Sequence, residues 1–203
     1  MQTNISKNTL YLTQLALLAA IIFVMASIPN LGFIKLPWVS ATIVHIPVII
    51  GAILLGPAAG LFLSAEFGIL SLWQAYANPQ LYDIVFQNPL ISVLPRLFIG
   101  LVAAYCFKGL IKIIKNNTLS ALITGVIGSL TNSFFTVGAI LLFARPTLEK
   151  WLGFAGKSTI GLIGKALSGI ILAIGMPEAI VAAILTSAIS VPLLIFLKRY
   201  KQN

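Results

Sequence analysis

The sequence predicts an all-α integral membrane protein, a six-transmembrane-helix bundle with both termini cytoplasmic. Three observations carry that expectation. Charged residues make up 8% of the chain and hydrophobic ones 59%, whereas a soluble domain is about 25% charged. A surface so poor in charge is one that faces lipid. Apolar runs close to the ~20 residues that a spanning helix needs alternate with turn signals such as Gly56-Pro57. The basic residues, 13 against 4 acidic ones, gather in the short flanks of those runs. The whole chain, residues 1–203, is read as one multi-pass domain of the cell membrane.

The first span is expected over residues 10–28, ending at Pro29-Asn30. Its leading stretch holds only Lys7 and its apolar run is long for a signal peptide, so it reads as a retained helix. "NLGFIKLPWVS" is then a short loop bearing aromatic residues. The second span, 41–55, is only just long enough, and the third runs over 58–76. "NPQLYDIVFQNP" interrupts the hydropathy before the fourth span, 90–107. Lys108, Lys112 and Lys115 in "KGLIKIIKNN" suggest an interfacial amphipathic turn after it. The fifth span is expected over 119–143 and the last over 177–197, ending in "KRYK". Between them Gly175 and Pro177 break a long apolar run, and 166–174 is too short to cross, so it should lie in the outer interface. A seven-span reading, with 158–174 crossing, would put "KRYK" outside.

Orientation follows from the bases beside short loops. With the amino terminus inside, Lys7, Lys108, Lys112, Lys115, Lys198, Arg199 and Lys201 lie inside, and Lys35, Arg145, Lys150, Lys157 and Lys165 outside. The split favours both termini inside. No aromatic-basic interleaving supports a nucleic-acid groove, and anionic lipid headgroups account better for the charge.

Catalytic signatures are missing. "GFAGKST" falls short of a phosphate loop because Trp151 stands where the first glycine is required, and it follows a membrane helix rather than a strand. Cys106 is the only cysteine and His45 the only histidine, so neither a disulfide, a metal site nor a resident cofactor is expected. Glu66, Asp83, Glu149 and Glu178 are the only carboxylates, and none pair at helical spacing.

Isolated polar groups instead converge on the outer half of the membrane. Arg96 stands in "NPLISVLPRLFIG", roughly 8 Å below its helix end at 1.5 Å per residue. A guanidinium in lipid costs about 2.5–3.5 kcal/mol on insertion scales, so it must snorkel, pair with Glu178, or contact a ligand. Asn132 is either interhelical glue or a ligand contact. Trp73 and Tyr76 end the third span, as aromatic-belt anchors or as a wall of the site, and Gln74 between them is counted with the substrate-binding residues. His45 either takes a carbonyl freed by Pro47 or joins that site, and Glu178 either caps its helix or joins it too. Together they suit a small amphipathic anion held at Arg96, whose planar fork pairs with carboxylates. Glu66, mid-span, is costly unless neutral or paired. Ala16 and Ala20, with Leu12 and Val24, form a small-residue face on the first span, for packing inside the bundle or for docking another membrane subunit.

"SATIVHIPVIIGAILLGPAAG", "NPLISVLPRLFIGLVAA" and "MPEAIVAAILTSAI" resemble the substrate-binding S components of energy-coupling factor (ECF) vitamin transporters, most closely the pantothenate-specific ones. The resemblance covers nearly the whole chain. It implies a six-helix subunit that binds a vitamin from outside, has no ATPase site, and topples in the membrane to deliver its load. It implies as partners a transmembrane coupling subunit and two cytoplasmic ATPases that consume ATP. The family's alanine face toward the coupling subunit would fall on Ala16 and Ala20, and its ligand site on Trp73, Tyr76, Arg96 and Asn132. Asp83, in a long polar loop, departs from what an anionic ligand would want. Folate and hydroxymethylpyrimidine components share parts of the pattern. A self-sufficient secondary transporter is the rival class, though no internal repeat is visible.

Overall fold

The computed structural model describes residues 7–28, 31–35, 40–77, 83–144 and 171–200, with single positions at 79 and 169. Helix α1 covers Lys7–Ser27, and a two-stranded antiparallel hairpin follows, β1 at Phe33–Lys35 and β2 at Ser40–Thr42. Phe33 pairs with Thr42 and Ile34 with Ala41. Then come α2 (His45–Leu55), α3 (Pro57–Ala77), a 3₁₀ turn (Asp83–Gln87), α4 (Pro89–Ser92), α5 (Leu94–Ile114) and α6 (Asn117–Phe143). A π-helical turn at Ile171–Gly175 leads into α7, Met176–Tyr200.

Local chemistry sets these boundaries. Gly56 takes φ +93°, where a side chain would be strained, and its N–H closes α2 on the Ala52 carbonyl. Pro57 then opens α3, its missing N–H costing nothing in a first turn. Asn88 caps α4, accepting the Leu90 N–H at 3.0 Å, and Asn116 caps α6, accepting that of Leu119 at 3.1 Å.

Five described helices are long and apolar enough to cross a membrane: Asn8–Ser27, Pro57–Ala77, Pro89–Ile114, Asn117–Phe143 and Ala173–Arg199. The expected second span departs from that pattern. Its first residues form strand β2, leaving α2 only 11 residues, about 16 Å against a hydrocarbon core of about 30 Å. All of α2 from His45 to Ile53 is buried, so it runs inside the bundle rather than against lipid. The lysine-bearing stretch after residue 107 is likewise not a separate interfacial turn, because α5 continues without a break to Ile114. Arg145, Lys150, Lys157, Lys165, the "GFAGKST" segment and most of 158–174 lie outside the described residues.

The core centres on α2. Ile22 and Ala26 of α1, Val48 and Ile49 of α2, Leu63 and Phe67 of α3, and Ile99 and Ala103 of α5 form one buried cluster. Close backbone approaches hold the bundle around it. A Cβ placed on Gly60 or Gly100 would strike the other's backbone, so only glycine fits where α3 crosses α5. Gly125 of α6 meets the Ala182–Ala183 backbone of α7, and Gly128 meets the Ile49 side chain.

Candidate functional site

Those contacts fix the depth of four of the polar residues that the sequence singles out. Gly128 touches Ile49. One turn from that contact toward the hairpin end, α6 carries Asn132 and the oppositely directed α2 carries His45. Gly100 meets Gly60 and Gly68 meets Val93, which sets Arg96 of α5 beside the turn of α3 that holds Phe67. Gly125 lies against Ala183. Glu178 is about 7 Å, and Asn132 about 10 Å, from that contact toward the hairpin end at 1.5 Å per residue. Arg96, Asn132, His45 and Glu178 thus come from four helices to one level. That level is the hairpin end, opposite the end where α1 begins and α7 finishes.

Arg96 is held by a local device. Proline lacks an N–H, so Pro95 leaves the Ile91 carbonyl without its helical partner. The Arg96 guanidinium takes that carbonyl through Nη1 at 2.5 Å. Its Cζ lies over the rings of Phe86 at 5.1 Å and Phe67 at 5.7 Å, a favourable setting for a desolvated cation. Arg96 is only 4% exposed, and its Nε is buried without a hydrogen bond. Phe86 is carried by the 3₁₀ turn, which is tied to the end of α3 by Tyr76 Oη donating to the Gln87 carbonyl at 3.1 Å. Gln87 Nε2 returns a bond to the Ala75 carbonyl at 3.1 Å, and Ser92 Oγ donates to the Phe86 carbonyl.

Glu178, in the first turn of α7, reaches across to the hairpin. Its Oε1 accepts the Thr42 N–H at 3.0 Å and lies 3.6 Å from His45 Nδ1. His45 is fully buried and neither ring nitrogen has a hydrogen-bond partner. The carbonyl that Pro47 frees, on Ile43, is taken by the Ile46 N–H at 3.1 Å, so the imidazole is not its partner. Asn132 is 5% exposed with Oδ1 unpartnered, and Thr136 Oγ1, one turn farther toward the hairpin end, is also unpartnered. No salt bridge joins Arg96 to Glu178 among the described residues.

Buried polar atoms are nearly always paired, and each one left unpaired costs about 1–3 kcal/mol. Ser120, Ser129 and Thr186 are also unpartnered, but helical hydroxyls have carbonyls of their own helix in reach. The imidazole, the guanidinium Nε and the Asn132 amide do not share that outlet. One cation, an amide and an imidazole therefore stand at one level with hydrogen-bonding capacity unspent, and the Glu178 carboxylate lies beside the imidazole.

The structure does not bring Trp73 and Tyr76 into this cluster: they are 48% and 62% exposed. Gln74 is buried, but its Nε2 donates to the Ala26 carbonyl of α1. The aromatic surfaces beside Arg96 are instead Phe67 and Phe86, which sequence reasoning passed over. Phe67 sits in an unbroken apolar run, and Phe86 in a loop taken for polar. Thr42 and Thr136 were missed for want of any motif. Asp83 is buried rather than facing water. Glu66 is half-buried on α3 with Oε2 unpartnered. Ala16 and Ala20 are exposed, with Leu12 and Val24 on the same face. Only 11% of the α1 span is buried, against 28–56% for the other four, so that face is not used for packing inside the bundle. Among the described residues no three His, Cys, Asp or Glu converge as metal ligands.

Comparison with known proteins gives two kinds of match. The family model described as "ECF transporter, substrate-specific component" matches residues 10–193. The chain is 34% identical over 189 residues to the "Pantothenate transporter PanT" of Leuconostoc mesenteroides subsp. mesenteroides, covering 91% of this chain and 92% of that one. It is 30% identical over 165 residues to the "Pantothenic acid transporter PanT" of Lactococcus lactis subsp. cremoris, covering 74% and 76%.

Proposed function

This chain belongs to the substrate-specific components of ECF transporters, and from that premise we propose that the vitamin it binds is pantothenate. Proteins of this family are vitamin-binding subunits rather than enzymes. The observation that carries the substrate reading is Arg96, buried at 4% exposure with its Nε unspent among neutral hydrogen-bonding groups. Pantothenate presents one carboxylate, two hydroxyls and an amide. Its carboxylate meets Arg96, Asn132 and His45 meet the amide and a hydroxyl, and Glu178 accepts from the other hydroxyl. Both matched relatives carry the word pantothenate or pantothenic acid in their names, which supports the same substrate.

The hairpin end faces outside and both termini face the cytoplasm, so the vitamin enters beneath the hairpin. The exposed Ala16/Ala20 face of α1 meets a transmembrane coupling subunit, and two cytoplasmic ATPases attached to that subunit hydrolyse ATP. Trp73 and Tyr76 lie at the rim, where closure of the loops above the site brings them over the ligand.

Calorimetry on the purified chain in detergent tests the assignment, with pantothenate, folate, hydroxymethylpyrimidine and riboflavin as titrants. Pantothenate is expected to bind tightly and the rest to give no specific heat. If pantothenate gives none while the uncharged pyrimidine binds tightly, the carboxylate role of Arg96 and the substrate are both wrong.

A further inference from the structure

Arg96 does not offer its whole fork. Nη1 is committed to the Ile91 carbonyl that Pro95 strips of its helical partner. Nη1 is the terminal nitrogen on the Cδ side of the guanidinium, so the edge formed by Nε and Nη2 is the one left over. Nε, the member of that edge nearest the side-chain stem, is buried without a partner. Two ring faces flank the group, Phe86 at 5.1 Å and Phe67 at 5.7 Å. A planar cation fixed by one hydrogen bond still swings about it. Aromatic faces remove that freedom, because the guanidinium gains most when seated over a ring.

Phe67 is fully buried in the helical core, so its ring serves packing whatever Arg96 does. Phe86 differs. It is half-buried on a short turn, outside the core cluster around α2, and packs on the edge of a smaller cluster formed by Ile91, Ala139, Ile140 and Ala144. Three hydrogen bonds hold that turn: Tyr76 to Gln87, Gln87 to Ala75, and Ser92 to Phe86. The chain thus pins a turn whose sequence otherwise reads as loop, and the pinned turn holds an aromatic face against the one cation of the site.

We infer that Phe86 is a positioning residue, which orients Arg96 so that its Nε–Nη2 edge receives the ligand carboxylate side-on. The inference rests on the pantothenate reading above. It assigns the discrimination between a carboxylate and its neutral counterpart to a residue that need not touch the ligand.

The test is a charge-discrimination ratio. Affinities of the full chain in detergent are measured for pantothenate and for its alcohol analogue, in which the carboxylate is reduced to a hydroxymethyl group. Phe86→Leu keeps apolar bulk and removes the ring face. It is expected to weaken pantothenate about 3- to 30-fold, the range of a partly desolvated cation–π contact, and to leave the alcohol nearly unchanged. Phe86→Tyr retains the face and is expected to restore the ratio. In an Arg96→Lys background, where no Nε–Nη2 edge exists, Phe86→Leu should cost no further discrimination. Equal losses for both ligands, or a full loss persisting on the lysine background, overturn the inference while leaving pantothenate as substrate. Failure of the unsubstituted chain to bind pantothenate overturns the substrate assignment and the inference with it. A thermal midpoint measured for each variant identifies any that lose the fold. For those, the Phe86→Tyr ratio decides: an undiminished preference for the carboxylate supports the positioning role, and a lost one refutes it.

Discussion

Gly100→Ala is the sharpest test of how the bundle is held together. An added Cβ at Gly100 would overlap the Gly60 carbonyl carbon and oxygen and come within 2.6 Å of Ser64 Oγ. Two of those three obstacles are backbone, so relief requires α3 and α5 to separate rather than a rotamer to turn. Separation also strains the bond from the Gly100 N–H to Ser64 Oγ, now 2.9 Å. Overpacking costs typically about 1–3 kcal/mol, and a backbone obstacle places this site at the upper end. Against that, glycine to alanine in a helix interior gains about 1 kcal/mol. The net is a loss of about 2 kcal/mol. Gly109 lies nine residues on in the same helix, and a Cβ there meets nothing within 4 Å, so Gly109→Ala should show the propensity gain alone. The two variants should therefore differ by about 3 kcal/mol in reversible unfolding in mixed micelles, with opposite signs against the parent. Because Arg96 is one turn from Gly100, the wedge should also shift its guanidinium from Phe67 and lower ligand affinity. If Gly100→Ala melts with or above the parent, the helices do not cross at Gly60–Gly100 and the depth assignment of Arg96 falls with it.

Two further substitutions address the site and the partner. Arg96→Ala should cost about 2–5 kcal/mol of pantothenate binding, as expected for deleting one partner of a desolvated charge pair. Arg96→Lys should cost less but clearly more than nothing, since charge survives and fork geometry does not; calorimetry showing parent-like affinity for either variant would remove Arg96 from the site. Leucine or tryptophan at Ala16 and Ala20 should abolish capture of the coupling subunit and uptake in vesicles while leaving vitamin binding intact, because bulk prevents close helix approach on an exposed face. Unchanged assembly in both variants would leave the face as lipid-facing surface only.

The long helices were legible in the sequence because hydropathy and Gly-Pro punctuation are local signals. The short α2 was not. Its run from Ala41 onward is apolar throughout, and nothing local says that the first residues pair with Phe33–Lys35 as a hairpin. The four polar residues that the structure brings to one level, Arg96, Asn132, His45 and Glu178, stood out in the sequence because a polar side chain in a span is costly and so conspicuous. Their aromatic neighbours were not, because Phe67 is one apolar residue among many. Trp73 and Tyr76 were expected in the cluster on type and depth alone. Depth does not fix which way a helix faces, and both are largely exposed in this structure.

The close approaches and the polar cluster are parts of one arrangement. The Gly60–Gly100, Gly125–Ala183 and Gly128–Ile49 contacts all lie on the terminal side of the polar level, by about one to two turns. Two of these are backbone against backbone and the third seats the Ile49 side chain, so the helices resist sliding and form a floor. Toward the hairpin end come Phe67, Phe86, His45 and Arg96, and beyond Arg96 Gly68 again lies against the Val93 backbone. That half bears the cost of unpaired burial at His45, Arg96 and Asn132. The floor supplies the packing that tolerates it, and a ligand that pairs those groups removes the cost on binding. The hairpin is fastened to the same cluster. Its only described side-chain tether to α7 is the Thr42 N–H on Glu178 Oε1, the same oxygen that lies 3.6 Å from His45. On the proposed reading, a ligand hydroxyl at Glu178 would act at once on the carboxylate, the imidazole and the strand above them.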